Sequence, residues 1–335
     1  MASAESQIRR IGSALAIAVL LCPSLSRADN GGVGFWLPGS MGSLAAVPGQ
    51  PGWSITTVYL HLNAVAGGGL PLQNNSNIVL GLHAQADALA WLPTYTFATP
   101  ILGGQLTVGA AGVPGNVGVG INGTLTGPRG NQISGSAFDN RATWADVYYI
   151  GTLKWNMGVD NFMMYLMGNI PSGTYDSTRL ANLSAGYVGV DAGGGYTYFN
   201  PKTGHEFSVV AGLSFSGTNT ALQYQNGVSF DVDWAASQFV SKSIHLGLAG
   251  YVYQQVTGDS GLGAKLGDNK GTAVGIGPQI GFFFPAWNGY QGYLNLRGYW
   301  DVYTQNRPTT TTAMVTLTFT PAAPEHPSMP VKARY

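Results

Sequence analysis

From about Trp53 onward, apolar residues recur at every second position in stretches of roughly ten residues or more. That is the period of strands with two unlike faces. Asn77–Leu92 is the clearest case. Ile78, Leu80, Leu82, Ala84, Ala86, Ala88, Ala90 and Leu92 form one face, and His83, Gln85 and Asp87 lie on the other. Trp53–Ala66 repeats the pattern, with Val58, Leu60 and Leu62 against Tyr59, His61 and Asn63. Phe162, Met164, Leu166, Gly168 and Ile170 oppose Met163, Tyr165, Met167 and Asn169, and Leu294, Leu296, Trp300 and Val302 oppose Tyr293, Arg297 and Tyr303. About twelve strands are expected: 53–66, 77–92, 105–126, 143–155, 160–171, 184–199, 204–216, 228–240, 244–257, 270–284, 290–305 and 311–320. The third is long and carries Pro114, which suits a bulge or a split.

The connections alternate in length. Asn156–Asp160, Asn200–Gly204, Ser241–Ser243 and Pro285–Gly289 are tight, whereas Gly127–Arg141, Ser172–Ser184, Gly217–Gly227 and Gly258–Lys270 are long. Bacterial outer-membrane barrels have this asymmetry, with short periplasmic turns and longer outer loops. The fold class expected is therefore all-β, a transmembrane antiparallel up-and-down barrel spanning 53–320. On the barrel rule the apolar set faces lipid and the polar set the lumen. Aromatics near strand ends, among them Trp91, Tyr148, Tyr149, Trp155, Tyr196, Tyr198, Phe199, Phe282, Phe283, Phe284 and Trp287, would supply the interfacial girdles.

Composition agrees. Only 9% of the 335 residues are charged, against ~25% in soluble domains. After the N-terminus no apolar run reaches the ~18 residues of a membrane helix. The formal net charge of zero argues against a nucleic-acid partner. The first 28 residues read as a cleaved export signal: Arg9 and Arg10, an apolar Ile11–Leu21, and Ser26-Arg27-Ala28 before the cut. Cys22, the sole cysteine, falls in that segment, so the mature chain has no disulfide and no thiolate chemistry. The expected location is the bacterial outer membrane. Residues 29–52 are rich in Gly and Pro and carry Phe35, Trp36 and Leu37. A solvated tail would hide these aromatics poorly, so the segment reads as a plug or constriction in the barrel mouth. Pro321–Tyr335 reads as a disordered tail.

Enzyme motifs do not hold. Gly258-Asp259-Ser260-Gly261 copies a serine-protease nucleophile motif, but no histidine has the required surroundings and the segment sits in an expected loop. The glycine stretches Gly103–Gly127 and Gly193–Gly195 precede no helix, as a phosphate loop would. His83, Gln85 and Asp87 share a face without a hydroxyl nucleophile or a metal-ligand spacing. No catalytic, cofactor or metal residues are assigned. Asp231 and Asp233 share one strand face and could meet Lys154 or Arg297 across the lumen. By parity the lumen lining should comprise Tyr59, His83, Gln85, Asp87, Tyr165, Asp231, Asp233, Tyr251, Tyr253, Tyr293, Arg297 and Tyr303, the tyrosines offering stacking surface and hydroxyls.

Several segments together resemble the outer-membrane proteins of the meta-pathway of phenol degradation (SphA-like) family. They are Gly34–Trp53 (GFWLPGSMGSLAAVPGQPGW), Pro171–Asp176 (PSGTYD), Leu180–Tyr187 (LANLSAGY), Tyr198–Ser208 (YFNPKTGHEFS), Asp233–Phe239 (DWAASQF), Gly250–Gly271 (GYVYQQVTGDSGLGAKLGDNKG) and Gly275–Phe282 (GIGPQIGF). Tyr299–Arg307 and the C-terminal tail depart from the pattern. The resemblance implies a barrel found near genes for aromatic degradation that helps hydrophobic or aromatic compounds cross the outer membrane. It brings no set of functional residues. The expectation is a channel for passive uptake of small apolar or aromatic solutes, with outer-membrane lipid as its surroundings and no cofactor. The alternatives are a structural or adhesion barrel with a sealed lumen, and a barrel enzyme.

Overall fold

The computed structural model describes residues 35–72, 76–264, 270–287 and 289–323. The expected export signal, the start of the segment after it and the expected C-terminal tail from 324 lie outside the described residues. Among the described residues fourteen strands run in chain order: β1 (Gly52–Leu72), β2 (Ser76–Thr96), β3 (Gln105–Ala111), β4 (Pro114–Thr126), β5 (Gln132–Trp144), β6 (Val147–Met157), β7 (Asp160–Ile170), β8 (Gly189–Asn200), β9 (His205–Ser216), β10 (Ser229–Phe239), β11 (Ile244–Gln255), β12 (Thr272–Pro285), β13 (Tyr290–Gln305) and β14 (Thr309–Pro321). β1 pairs with both β14 and β2, which closes the sheet. The closed wall runs β1-β2-β3-β6 and then in sequence order from β7 to β14, twelve antiparallel strands with no free edge.

The two extra strands come from the segment carrying Pro114. Against β2, β3 and β4 keep one register, bridged by Trp91 and Gly112. Against the returning chain the register slips. Ala111 faces Tyr148 while Pro114 faces Trp144, so three steps on one side meet four on the other. Residues 145–146 absorb the difference as a bulge. Asp146 there is fully buried and accepts Asn169 Nδ2 at 2.7 Å, Ser184 Oγ at 2.5 Å, Gly173 N at 3.2 Å and Ala185 N at 3.2 Å. One carboxylate thus folds the 171–188 loop over the wall. The expected long loop at 127–141 is instead a tight turn followed by β5. Alternation there is carried by small and polar residues, which hydropathy does not register.

β7 has 11 residues and rises about 25 Å, taking ~3.3 Å per residue and ~40° of tilt. β1 and β2 have 21 each, so with the β4–β5 hairpin they stand well above the lipid on the long-loop side. On the lipid face of β7, Met164 is 61% and Leu166 50% exposed. At the short-turn rim, Trp53, Tyr95 and Phe97 form one outward aromatic group, and Phe284, Trp287 and Phe319 another. Tyr148, Phe199 and Phe283, expected in the girdles, point inward instead. Tyr148 stacks on Phe35, and the other two join a cluster with Phe239, His245 and Tyr293. Parity decides the side of a strand-end aromatic, and strand ends are where parity is hardest to read.

Leu166→Arg, near the midplane, should lower folding stability in lipid vesicles by ~2–4 kcal/mol, whereas His83→Arg, on the raised wall, should cost under ~1 kcal/mol. Denaturant titration of both variants measures the difference.

Candidate functional site

The segment 35–51 lies inside the barrel and has no regular structure. Phe35 is 8% exposed and Trp36 3%. The Trp36 ring stacks on Tyr253 and meets Tyr251 edge-on, with centroids at 6.2 and 6.5 Å. Leu37, Val58 and Leu60 pack against the same cluster.

An irregular backbone in a closed space needs partners for its N–H and C=O groups. The lumen supplies them. Asp233 accepts Gly39 N and Met41 N, both at 2.8 Å. Glu206 accepts Leu44 N at 3.0 Å and the Ser43 hydroxyl at 2.9 Å. Thr197 Oγ1 accepts Ala46 N at 3.1 Å. Arg297 Nη1 donates to the carbonyls of Gly39 (3.1 Å) and Met41 (3.2 Å), and Gln279 Nε2 donates to Ser43 Oγ at 2.8 Å. The turn needs Gly39. Its φ is +78°, and a Cβ would come within 2.6 Å of the Tyr299 ring.

These anchors stand on β8 to β10, β12 and β13. On the other side, against β2, β3, β6 and β7, the segment leaves a cavity of about 280 Å³. Met41, Leu44, Leu92 and Met163 give it apolar walls, Thr94 and Thr152 give it hydroxyls, and Lys154 enters it from β6.

The cavity and the cluster around Trp36 fix which strand faces point inward. Tyr165, Asp231, Asp233, Tyr251, Tyr253, Tyr293 and Arg297 are on the lumen side. Asp233 and Arg297 hold the segment, and Tyr251 and Tyr253 hold Trp36. Asp231 shares Ser214 with Asp191: Ser214 Oγ donates to Asp191 and lies 3.3 Å from Asp231. Neither Asp231 nor Asp233 lies within ion-pair distance of Lys154 or Arg297 among the described residues.

Five expected lumen residues point the other way. Val58 and Leu60 face Trp36, so Tyr59 faces out and is 41% exposed. Leu92 and Thr94 line the cavity, so His83, Gln85 and Asp87 face out. Asp87 there accepts Tyr59 Oη at 2.6 Å and contacts His61 Nδ1 at 2.8 Å. For His83, Gln85 and Asp87 the cause is height. From the rim at Thr96, Asp87 to His83 stand about 23–33 Å up by rise and tilt, at or above the top of a ~25 Å apolar band. There the outer face meets water and the inner face is the apolar one, which inverts the lipid rule. Val58, Leu60 and Leu62, expected to face lipid, turn inward as well; Val58 and Leu60 stand within the apolar band and turn in because the Trp36 cluster packs there. Tyr303 faces out for a different reason. A bulge between Val274 and Gly275 shifts the β12–β13 register and turns the end of β13 over.

Glu206, Thr197, Gln279 and His245 were not singled out by sequence. Glu206 carried a signal, as an acid inside a membrane strand. The others had none, since a lone threonine or glutamine fits any lumen. Among the described residues no three metal-ligating side chains converge.

At the long-loop mouth, the loops 217–228 and 256–271 are tied together. Gln225 and Ser260 exchange backbone hydrogen bonds at 2.9 Å. Asp259 accepts Gly227 N at 2.9 Å, Gln255 Nε2 at 2.6 Å and the Tyr224 hydroxyl. The Gly-Asp-Ser-Gly motif is thus a loop fastener.

A closed twelve-stranded wall, aromatic rims and a lumen built around its own N-terminal segment define an outer-membrane-type β-barrel. The chain belongs to the family described as "Putative MetA-pathway of phenol degradation", whose model matches residues 69–317. Its fold resembles the crystal structure of the COG4313 outer membrane channel from Pseudomonas putida F1, with a TM-score of 0.57, 15% identity, and 82% of this chain and 96% of that chain covered. A Pseudomonas aeruginosa FadL homologue matches at TM-score 0.40 and 7% identity, over 81% of this chain and 90% of that one. Among curated proteins none matches by sequence.

Asp233→Ala removes the acceptor of two segment N–H groups, each charge-assisted bond worth ~1.5–3 kcal/mol. The barrel should still fold, with its mobility shift on heating intact. Amide hydrogen exchange over residues 37–46 should rise by at least an order of magnitude.

Proposed function

We propose that the protein is an outer-membrane channel for passive uptake of small hydrophobic or aromatic compounds. The observation that carries this reading is the lopsided seating of the internal segment. It is hydrogen-bonded to one wall and leaves an apolar cavity against the other. A segment meant only to seal would gain from contacts all round, because unfilled space forfeits packing energy. The cavity borders the segment over Met41 to Ala45 and opens beside it, so a solute need not displace it. Family membership points the same way. Movement would follow a concentration gradient, with no cofactor and no energy input. The fastened outer loops favour a second reading, a structural barrel with a sealed lumen, and the same experiment separates the two.

That experiment is uptake of a neutral phenol into vesicles containing the refolded protein. Uptake above that of empty vesicles supports the channel, and none from a folded barrel supports the sealed reading. Ala45→Trp should fill the cavity and cut uptake severalfold while leaving folding intact. Ser43 and Ser237 have Oγ atoms 2.8 Å apart, close enough for a disulfide of ~2.05 Å after Ser→Cys at both positions. The oxidised double variant should keep its uptake. Loss of uptake on oxidation would mean that the segment must move for a solute to pass.

A further inference from the structure

We infer that the cavity is a binding site for an amphiphilic monoanion, an aromatic carboxylate held at Lys154 with its ring against Met41, Leu44 and Met163. This deepens the channel reading and rests on it for its role as a station on the passage.

The cavity holds an unbalanced charge. Lys154 lies on the lumen side of β6, half-buried, and carries three ammonium donors. Its hydrogen bond is to the Val47 carbonyl at 3.4 Å, beyond the usual range of an N–H···O bond. Among the described residues no carboxylate lies within 4 Å of it. The lumen's acids are engaged elsewhere: Asp233 and Glu206 by the segment, and Asp191 and Asp231 by Ser214. A cation withdrawn from water without a counter-charge is costly. An anion entering the cavity relieves that cost and a neutral solute does not.

A second polar group beside it is also unfilled. Gln105 sits directly across from Lys154 in the β3–β6 ladder, so the two share the lumen face. Its Oε1 is buried with no hydrogen-bond partner. Half a turn of that amide presents its NH2 instead, a donor for an anion on Lys154. The remaining lining fits an aromatic body. Two thioethers and two leucines surround the space, and methionine sulfur contacts aromatic rings favourably. A volume of about 280 Å³ lies just below the ~300–1,000 Å³ common for pockets that take drug-sized ligands. It suits a single ring better than a long alkyl chain.

The test is calorimetric titration of the folded protein in non-ionic micelles with benzoate and with benzyl alcohol, its neutral counterpart. The wild type should bind benzoate the more tightly. Lys154→Met should weaken benzoate by about thirtyfold or more, the effect of stripping a buried pair of one charge, and leave benzyl alcohol unchanged. Lys154→Arg should keep the preference for the anion. Equal benzoate affinity in wild type and Lys154→Met, or no benzoate binding by the wild type, would overturn the site. Phenol uptake into vesicles is read separately on the same variants. Uptake without a Lys154-dependent benzoate site keeps the channel and removes this proposal, and binding without uptake keeps the site and removes the channel.

Discussion

Everything inside this barrel depends on how an irregular stretch of backbone is satisfied where bulk water is scarce. Residues 35–51 form no helix and join no sheet, so their polar groups are met one at a time by the lumen. Carboxylates at 206 and 233 take N–H groups, and the guanidinium at 297 takes carbonyls. The charges at 206, 233 and 297 are thereby committed to folding. They are less a solute-attracting field than the mould in which the N-terminal segment sets.

That commitment is one-sided, and the asymmetry shapes the remaining space. The anchoring acids and the arginine stand on β9, β10 and β13, while the strands opposite bring Leu92, Ile150 and Met163. With its hydrogen bonds made toward one wall, the segment turns Met41, Leu44 and Ala45 toward the other. The cavity is therefore walled largely by apolar side chains, with Thr94, Thr152 and Lys154 as polar groups, because the acids and the arginine opposite are engaged by the segment.

The fold was legible because two independent regularities agreed: a period of two along each strand and a long–short alternation between strands. Orientation was legible only where a strand is about as long as the bilayer is thick. β7 obeys the lipid rule along its length, with Met164 and Leu166 outside and Met163 and Tyr165 inside. β1 and β2 do not, because nearly half of each stands in water. Asp87 with Tyr59 and His61 makes a solvent-side hydrogen-bonded group, and the apolar alternation of Ile78 to Leu92 is an inner lining. The sequence of such a strand carries the period but not the sign, and β1 runs on past 66 through the glycines at 67–69, where no alternation marks it. Tyr303 fails for the separate reason of a bulge, which one sequence does not mark.

Pairwise relations across the lumen were the least visible. Asp233 and Arg297 were legible as lumen charges, and a direct ion pair was the natural expectation. The segment stands between them instead. Asp233 holds the N–H of Gly39 and Met41 while Arg297 holds the carbonyls of the same two residues. Two opposite charges thus grip one turn of backbone from its two polar sides, a geometry that needs a glycine at positive φ to present both. Lys154 is the contrasting case. It reaches the same segment at Val47 but finds one distant carbonyl and, among the described residues, no acid. A cation that the fold leaves half-used, facing the cavity beside a segment anchored to the opposite wall, is the point at which the demands of folding end and those of a solute can begin.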